Sequence, residues 1–247
     1  MRYRKILKFE ETGPIEAHLH RYVLSLPDWL ADWDVFDVWE KERTEHMQEN
    51  INKDDILFDI GAEVGWISAL ISKYMTKNIV LIEPSCEFWS TIKMIWDSNK
   101  LKAPLSSFCG FIGNEVDPKR RDDYATWPKC IDLDPIDHAR PYKSIHNKEH
   151  RANTRAKSVD KMVEETKITP DILNIDIEGA ELLALKGARN TLKNNRMKVW
   201  VSIHSDLLEK NYGSKKRDVL EFMNSLGYKG EKLGVDHEQH YFFTNKL

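Results

Sequence analysis

The chain has 247 residues, 41% of them hydrophobic and 31% charged, with 37 basic against 40 acidic side chains. This is the composition of a folded domain of ordinary size. It excludes intrinsic disorder, collagen and coiled-coil classes, and a net charge of −3 argues against a dedicated non-specific nucleic-acid binder.

Cys86, Cys109 and Cys130 form no CxxC pair, which argues against a disulfide scaffold or a structural zinc site and fits a reducing compartment. The opening MRYRKILKFEETG is basic but is followed by no long apolar stretch. No uncharged apolar run approaches the roughly 20 residues of a membrane helix. A soluble, cytoplasmic protein without a membrane partner is the expectation.

Residues 1–50 read as an N-terminal helical extension packed on a main domain at 51–247. Trp29, Leu30, Trp33, Phe36 and Trp39 form an aromatic stripe at mostly helical spacing, followed by a polar run from Glu40 to Asn50. From there the pattern alternates. Ile56 to Ile60 is an apolar run ending at Gly61, the pattern of a buried strand. Trp66, Ile67, Leu70, Ile71 and Tyr74 predict a helix, and Ile79 to Ile82 a second strand closed by Glu83-Pro84. Phe88, Ile92, Ile95 and Trp96 mark a second helix, and Leu105 to Phe111 a third strand.

Residues 114–157 break the rhythm, being polar and proline-rich, and read as an insertion or lid. The alternation then resumes. Ser158 caps a helix carrying Val159, Met162 and Val163. Ile172 to Ile177 is a strand, Leu182, Leu185, Ala188 and Leu192 a helix face, and Val199 to His204 a strand. A helix through Val219, Phe222, Met223 and Leu226 stops at Gly227, and His240 to Thr244 is a terminal strand. The fold class is therefore α/β, with a mostly parallel sheet and helices on both faces.

The strongest chemical signal is Phe58-Asp59-Ile60-Gly61-Ala62-Glu63-Val64-Gly65, a strand running through a glycine turn into a helix. Gly61 permits a sharp turn and a close ligand, Gly65 permits tight packing, and the amides at the start of the helix favour an anion. The G-x-x-x-G spacing is neither the dinucleotide fingerprint nor a P-loop. Glu83 ends the second strand, where a carboxylate accepts hydrogen bonds from ribose hydroxyls in nucleoside-binding α/β folds. Together these predict an adenosine-type pocket.

The second signal is Asn174-Ile175-Asp176-Ile177-Glu178-Gly179-Ala180-Glu181. Asp176 and Glu178, read as strand residues, project to one side. Acids that end a buried strand are costly unless paired, bound or used, although one could simply cap the next helix.

These residues carry a resemblance. FDIGAEVGWIS, the acid in VLIEPS, TRAKSVDKM, VWVSIHSD and above all DILNIDIEGAELLALKGA resemble the class I S-adenosylmethionine-dependent methyltransferases of the FkbM type. The resemblance covers roughly residues 40–205. It implies a Rossmann-like seven-strand sheet with a final antiparallel hairpin strand, S-adenosyl-L-methionine as cofactor, and O-methylation of sugars or secondary metabolites. It places Asp59, Gly61, Ala62, Glu63, Gly65, Glu83 and Phe111 around the cofactor. Two departures stand out: Glu63 occupies a position where the family usually has Asn, and Cys109-Gly110-Phe111 offers no acid for the adenine.

His204 and Asp206 are expected at the end of the fifth strand. His204 reads as a general base for the acceptor hydroxyl, with Asp176 and Glu178 completing the catalytic group. A divalent metal held by these three residues is an alternative, not the favoured one, and a structural histidine is another. Residues 138–157 hold six basic side chains against Glu149, a patch suited to a phosphorylated or nucleic-acid substrate, or simply a solvated loop. The favoured function is O-methylation of a small hydroxylated acceptor. The alternatives are a nucleic-acid methyltransferase using the 138–157 segment and a non-catalytic cofactor-binding interaction module.

Overall fold

A computed structural model describes residues 15–19, 22–27, 41–85, 88–114 and 156–245. The aromatic stripe of residues 29–39 and the basic 138–155 stretch lie outside the described residues. The N-terminal extension contains a β-hairpin, β1 (Ile15–Leu19) and β2 (Tyr22–Leu26), and then α1 (Lys41–Asn50). The hairpin corrects the expectation of a wholly helical extension. Ile15, Ala17 and Leu19 alternate with polar residues, the period of a strand. The polar edge of β2 is held by side chains, with Asn99 both accepting from Ser25 N and donating to Ser25 O, at 2.9 and 2.8 Å.

The main domain then runs β3 (Ile56–Ile60), α2 (Trp66–Tyr74), β4 (Asn78–Ile82), α3 (Phe88–Ser98), β5 (Ser106–Phe108) and β6 (Phe111–Ile112). After the insertion come β7 (Ala156–Lys157), α4 (Val159–Thr166), β8 (Ile172–Ile175), α5 (Glu181–Gly187) and α6 (Arg189–Asn194). The chain ends with β9 (Lys198–Ile203), α7 (Ser205–Tyr212), α8 (Lys216–Ser225), β10 (Lys229–Val235) and β11 (Gln239–Thr244).

Seven strands form one sheet in the order β10-β11-β9-β8-β3-β4-β5. β11 pairs antiparallel with both of its neighbours, while β9, β8, β3, β4 and β5 pair in parallel. The strand order reverses between β3 and β8, so the crevice beyond their carboxyl ends is the switch point at which open α/β sheets bind ligands.

The two-residue period of the strands sorts the core. Leu57, Ile79, Leu81, Ile172 and Trp200 face α1, α2, α3 and the hairpin, packing with Met47, Leu70, Ile92 and Leu24. Phe58, Ile60, Val80, Leu173 and Val199 face the other way, onto Val159, Leu185, Leu192 and Met223. Helices thus cover both faces, as expected.

Four strands depart from the reading of the residues. The third is shorter, breaking at Cys109 so that β6 leaves the sheet to pair with β7. β10 supplies the seventh strand, which the resemblance alone implies: it is a polar, largely exposed edge strand, KGEKLGV, with no apolar alternation to betray it. β8 and β9 end at Ile175 and Ile203, so Asp176, Glu178 and His204 lie just beyond strand geometry.

Candidate active site

The turn after β3 is fixed by close backbone approach. Gly61 has φ +89°, and a Cβ there would lie 1.8 Å from the carbonyl oxygen of Asp176. The glycine is thus demanded by the neighbouring strand end rather than by a ligand. Gly65, at φ +82°, lies against Ile92 of α3, so the contact it serves is between helices. The amides of Gly61 and Ala62 both donate to Ile82 O, at 2.9 and 3.0 Å, which leaves them unavailable to the anion expected there.

The next amide, Glu63 N, donates to Oε2 of Glu83 at 2.9 Å, and Ser85 N donates to Oε1 at 2.7 Å. Glu83 is 5% exposed at the end of β4, its own carbonyl accepting from Trp89 Nε1 at 3.1 Å. Burial raises its pKa to about 7 against the lowering effect of those amide bonds. The buried Ser85 hydroxyl also lowers that pKa, and it is committed to no other group among the described residues. Each carboxylate oxygen keeps an unused lone pair, which is what a ribose diol requires. Glu63 stands at φ +49°, in the left-handed region. Phe111 is half-buried, three residues past the end of β5.

Asp59 is 1% exposed, on the face of the sheet toward α1 and α2. Its Oδ1 accepts from Asn174 Nδ2 at 2.6 Å, its register partner on β8, and its Oδ2 from Ser68 of α2. Burial raises its pKa, opposed by those bonds and by Arg43. Arg43 of α1 enters the same buried row. It donates to Asp176 Oδ2 at 3.0 Å, to Ser202 Oγ at 2.8 Å and to Asn174 Oδ1. Ser202 sits opposite His240 in the sheet and lies 3.0 Å from its Nδ1, and His240 Nε2 lies 3.0 Å from Asp236 Oδ2. A polar row therefore runs through the otherwise apolar face, from Ser68 to the tip of the β10–β11 hairpin.

His204, at the N-cap of α7, is ringed by acids. Its Nδ1 lies 2.9 Å from Oε1 of Glu181, which is fully buried and also accepts from Gly179 N at 2.8 Å. Its Nε2 stands 3.2 Å from Glu238 Oε2, 3.7 Å from Asp176 Oδ1 and 3.9 Å from Glu178 Oε2. Burial pulls the imidazole toward neutrality, but Glu181, Glu238 and the Asp176 charge outweigh it and push its pKa up to about 12. Burial also works against the Glu238 carboxylate, yet the two imidazoles beside it hold its pKa far below the usual range. His204 is thus an imidazolium at neutral pH and lacks the lone pair of the expected base. Asp176 and Glu178 do converge on it, though through a turn in which Glu178 has φ +53° and Gly179 φ +100°.

Sequence reasoning missed Arg43, Ser202, His240 and the tip residues Asp236, His237 and Glu238. The alternation Trp200-Val201-Ser202 placed a polar group on a buried face and was the one available signal.

A methyltransferase FkbM of Methylobacillus flagellatus has a similar structure, with a TM-score of 0.50 at 18% identity over 78% of this chain and 44% of that one. The chain thus spans under half the length of that relative. TYW2 of M. jannaschii, solved in complex with AdoMet, gives a TM-score of 0.46 at 11% identity, covering 95% of this chain and 85% of that one. An rRNA methylase from Streptococcus thermophilus gives 0.47 at 8% identity, covering 83% and 94%. No curated protein sequence matches. No helix among the described residues is long and apolar enough to cross a membrane. The family model of the methyltransferase FkbM domain matches residues 59–229, from the buried Asp59 to the start of β10, and the chain belongs to that family.

Proposed function

We propose that the protein transfers the methyl group of S-adenosylmethionine to a hydroxyl of a small acceptor, a sugar or another small metabolite. The observation that carries this reading is Glu83, buried at the end of β4, with each oxygen on one backbone amide and one lone pair to spare. When bound, the cofactor supplies an electrophilic methyl carbon on a sulfonium.

Glu83 accepts from the two ribose hydroxyls, Ser85 Oγ offers a further donor, and Phe111 covers the adenine side. Ala62 and Glu63 line the methionine end. Asp59 acts one layer down: with both oxygens engaged, it positions Asn174 and the start of α2. The acceptor sits beyond the ends of β8 and β9. There Glu178, the most exposed acid around His204 at 42%, takes the hydroxyl proton, while the imidazolium of His204 and the guanidinium of Arg43 hold the carboxylates in place. Alignment of donor and acceptor supplies most of the acceleration.

The test is turnover with labelled S-adenosylmethionine on free and phosphorylated sugars, small hydroxylated metabolites and RNA. Mass spectrometry should find a methyl ether on a small acceptor and stoichiometric S-adenosylhomocysteine. Methylated RNA with no small-molecule product would overturn the acceptor assignment.

A further inference from the structure

The tip of the β10–β11 hairpin lies over the end of β9, because the first residue of β11, Gln239, sits opposite Ile203. It brings His237 and Glu238 to His204. One ligand atom from each of these three residues lies within 4.8 Å of the others. Glu238 Oε2 is 3.2 Å from His204 Nε2 and also touches His237 Nε2. Asp176 Oδ1 and Glu178 Oε2 stand 3.7 and 3.9 Å from the same His204 nitrogen. Neighbouring ligands on a cation with bonds of about 2.1 Å stand about 3 Å apart, and opposite ones about 4 Å. The three distances from His204 Nε2 to the carboxylates fall in that interval.

Three further features point the same way. Glu238 is 2% exposed, and its Oε2 stands beside an imidazole nitrogen of His204 and one of His237 at once. His204 turns its other nitrogen, Nδ1, to the fully buried Glu181, the outer carboxylate that fixes a metal-binding histidine and leaves Nε2 facing inward. The tip is also held rigidly, since Asp236 is tied through His240 and Ser202 to Arg43. Asp176, Glu178, Glu181, Asp236 and Glu238 set five carboxylates against one permanent cation, Arg43, among these residues.

We propose that this cluster binds a divalent first-row transition cation, of the class of Mn²⁺, Fe²⁺, Co²⁺ or Zn²⁺, through His204 Nε2, His237 and Glu238, the ion displacing to solvent the protons that the two imidazole nitrogens carry in the metal-free protein, with Asp176 or Glu178 completing the shell. Imidazole ligands favour these ions over Mg²⁺ and Ca²⁺. The binding stands without any assumption about activity. Its use rests on the methyl-transfer reading: the ion would hold the acceptor oxygen and make its proton easier to remove.

The test is calorimetric titration of the chelator-treated full chain with Mn²⁺, Zn²⁺ and Mg²⁺. Loss of the free Mn²⁺ paramagnetic resonance signal serves as a second readout. One saturable site is expected, at least tenfold tighter for Mn²⁺ and Zn²⁺ than for Mg²⁺. His237→Ala and Glu238→Gln should each weaken it tenfold or more. The His237 side chain is 49% exposed, so its truncation should leave the protein folded, and a cooperative thermal melt makes the result readable. Absence of saturable Mn²⁺ or Zn²⁺ binding at millimolar ion, or wild-type affinity in His237→Ala, overturns the site. S-adenosylhomocysteine binding is measured on the same stripped protein. If it fails while Mn²⁺ binds, methyl transfer falls and the metal site stands.

Discussion

Arg43 Nη1 donates to Oδ2 of Asp176 across 3.0 Å, joining a helix of the N-terminal extension to the turn after β8, 133 residues away. The guanidinium side chain is 1% exposed and also serves Asn174 and Ser202. The extension is therefore part of the site rather than a decoration on it. Removing one partner of such a buried network leaves the others desolvated and unpaired. Arg43→Ala is expected to lower stability by roughly 3–5 kcal/mol, measured by urea unfolding. Arg43→Lys should rescue little, because one ammonium cannot reach three acceptors in the plane of the fork. A loss below about 1 kcal/mol in Arg43→Ala would contradict the network.

The backbone clash at Gly61 gives a contrasting pair. Gly61→Ala places a methyl 1.8 Å from Asp176 O at a positive φ, whereas at Gly213, with φ +65°, nothing lies within 4 Å. Gly61→Ala is expected to cost roughly 3 kcal/mol or more, and Gly213→Ala only about 1 kcal/mol from the left-handed backbone. Similar denaturation midpoints for the two variants would show that β3 and β8 do not approach as described.

Glu63 occupies the left-handed region at φ +49°. Asparagine tolerates that region several-fold better than glutamate, a physical reason for the residue that the family usually has there. Glu63→Asn should raise stability by about 0.5–1 kcal/mol, read as a higher urea midpoint with an unchanged slope. A lower midpoint would mean that the side-chain contacts of Glu63 outweigh the backbone strain.

The first half of the site was legible because its residues are local. Two apolar runs, one ending in glycine and the next in an acid, announce two buried strands with their tips side by side, and β3 and β4 do pair in that register. The cluster around His204 was only half legible. Asp176, Glu178, Glu181 and His204 follow apolar strands, so their common edge could be inferred. Glu238 and His237 could not, since they sit in a turn brought there by an edge hairpin whose outer strand is too polar to read. Arg43 stands in the polar run from Glu40 to Asn50. Nothing local distinguishes a charge that will pair with Asp176 from one that faces water.

Glu83 sets the expected pH dependence. Burial raises its pKa to about 7, above its unfolded value, so folding favours the protonated form. That contribution to stability is fully present below the ordinary glutamate range and is lost as pH rises through about 7. The cofactor needs the ionised form and should gain affinity over the same window. Calorimetry with S-adenosylhomocysteine should show roughly tenfold tighter binding at about pH 8 than at about pH 6. A flat profile would separate Glu83 from the ribose.

The most direct test of the account is cofactor affinity in the wild type and in Glu83→Ala, measured by calorimetry at about pH 8. Wild type should bind S-adenosylmethionine with one site per chain. Glu83→Ala removes charge-assisted hydrogen bonds worth about 1.5–3 kcal/mol each, so its affinity should fall well over tenfold while its melt confirms a folded protein. No binding by wild type at millimolar cofactor, or undiminished binding by Glu83→Ala, would contradict the pocket.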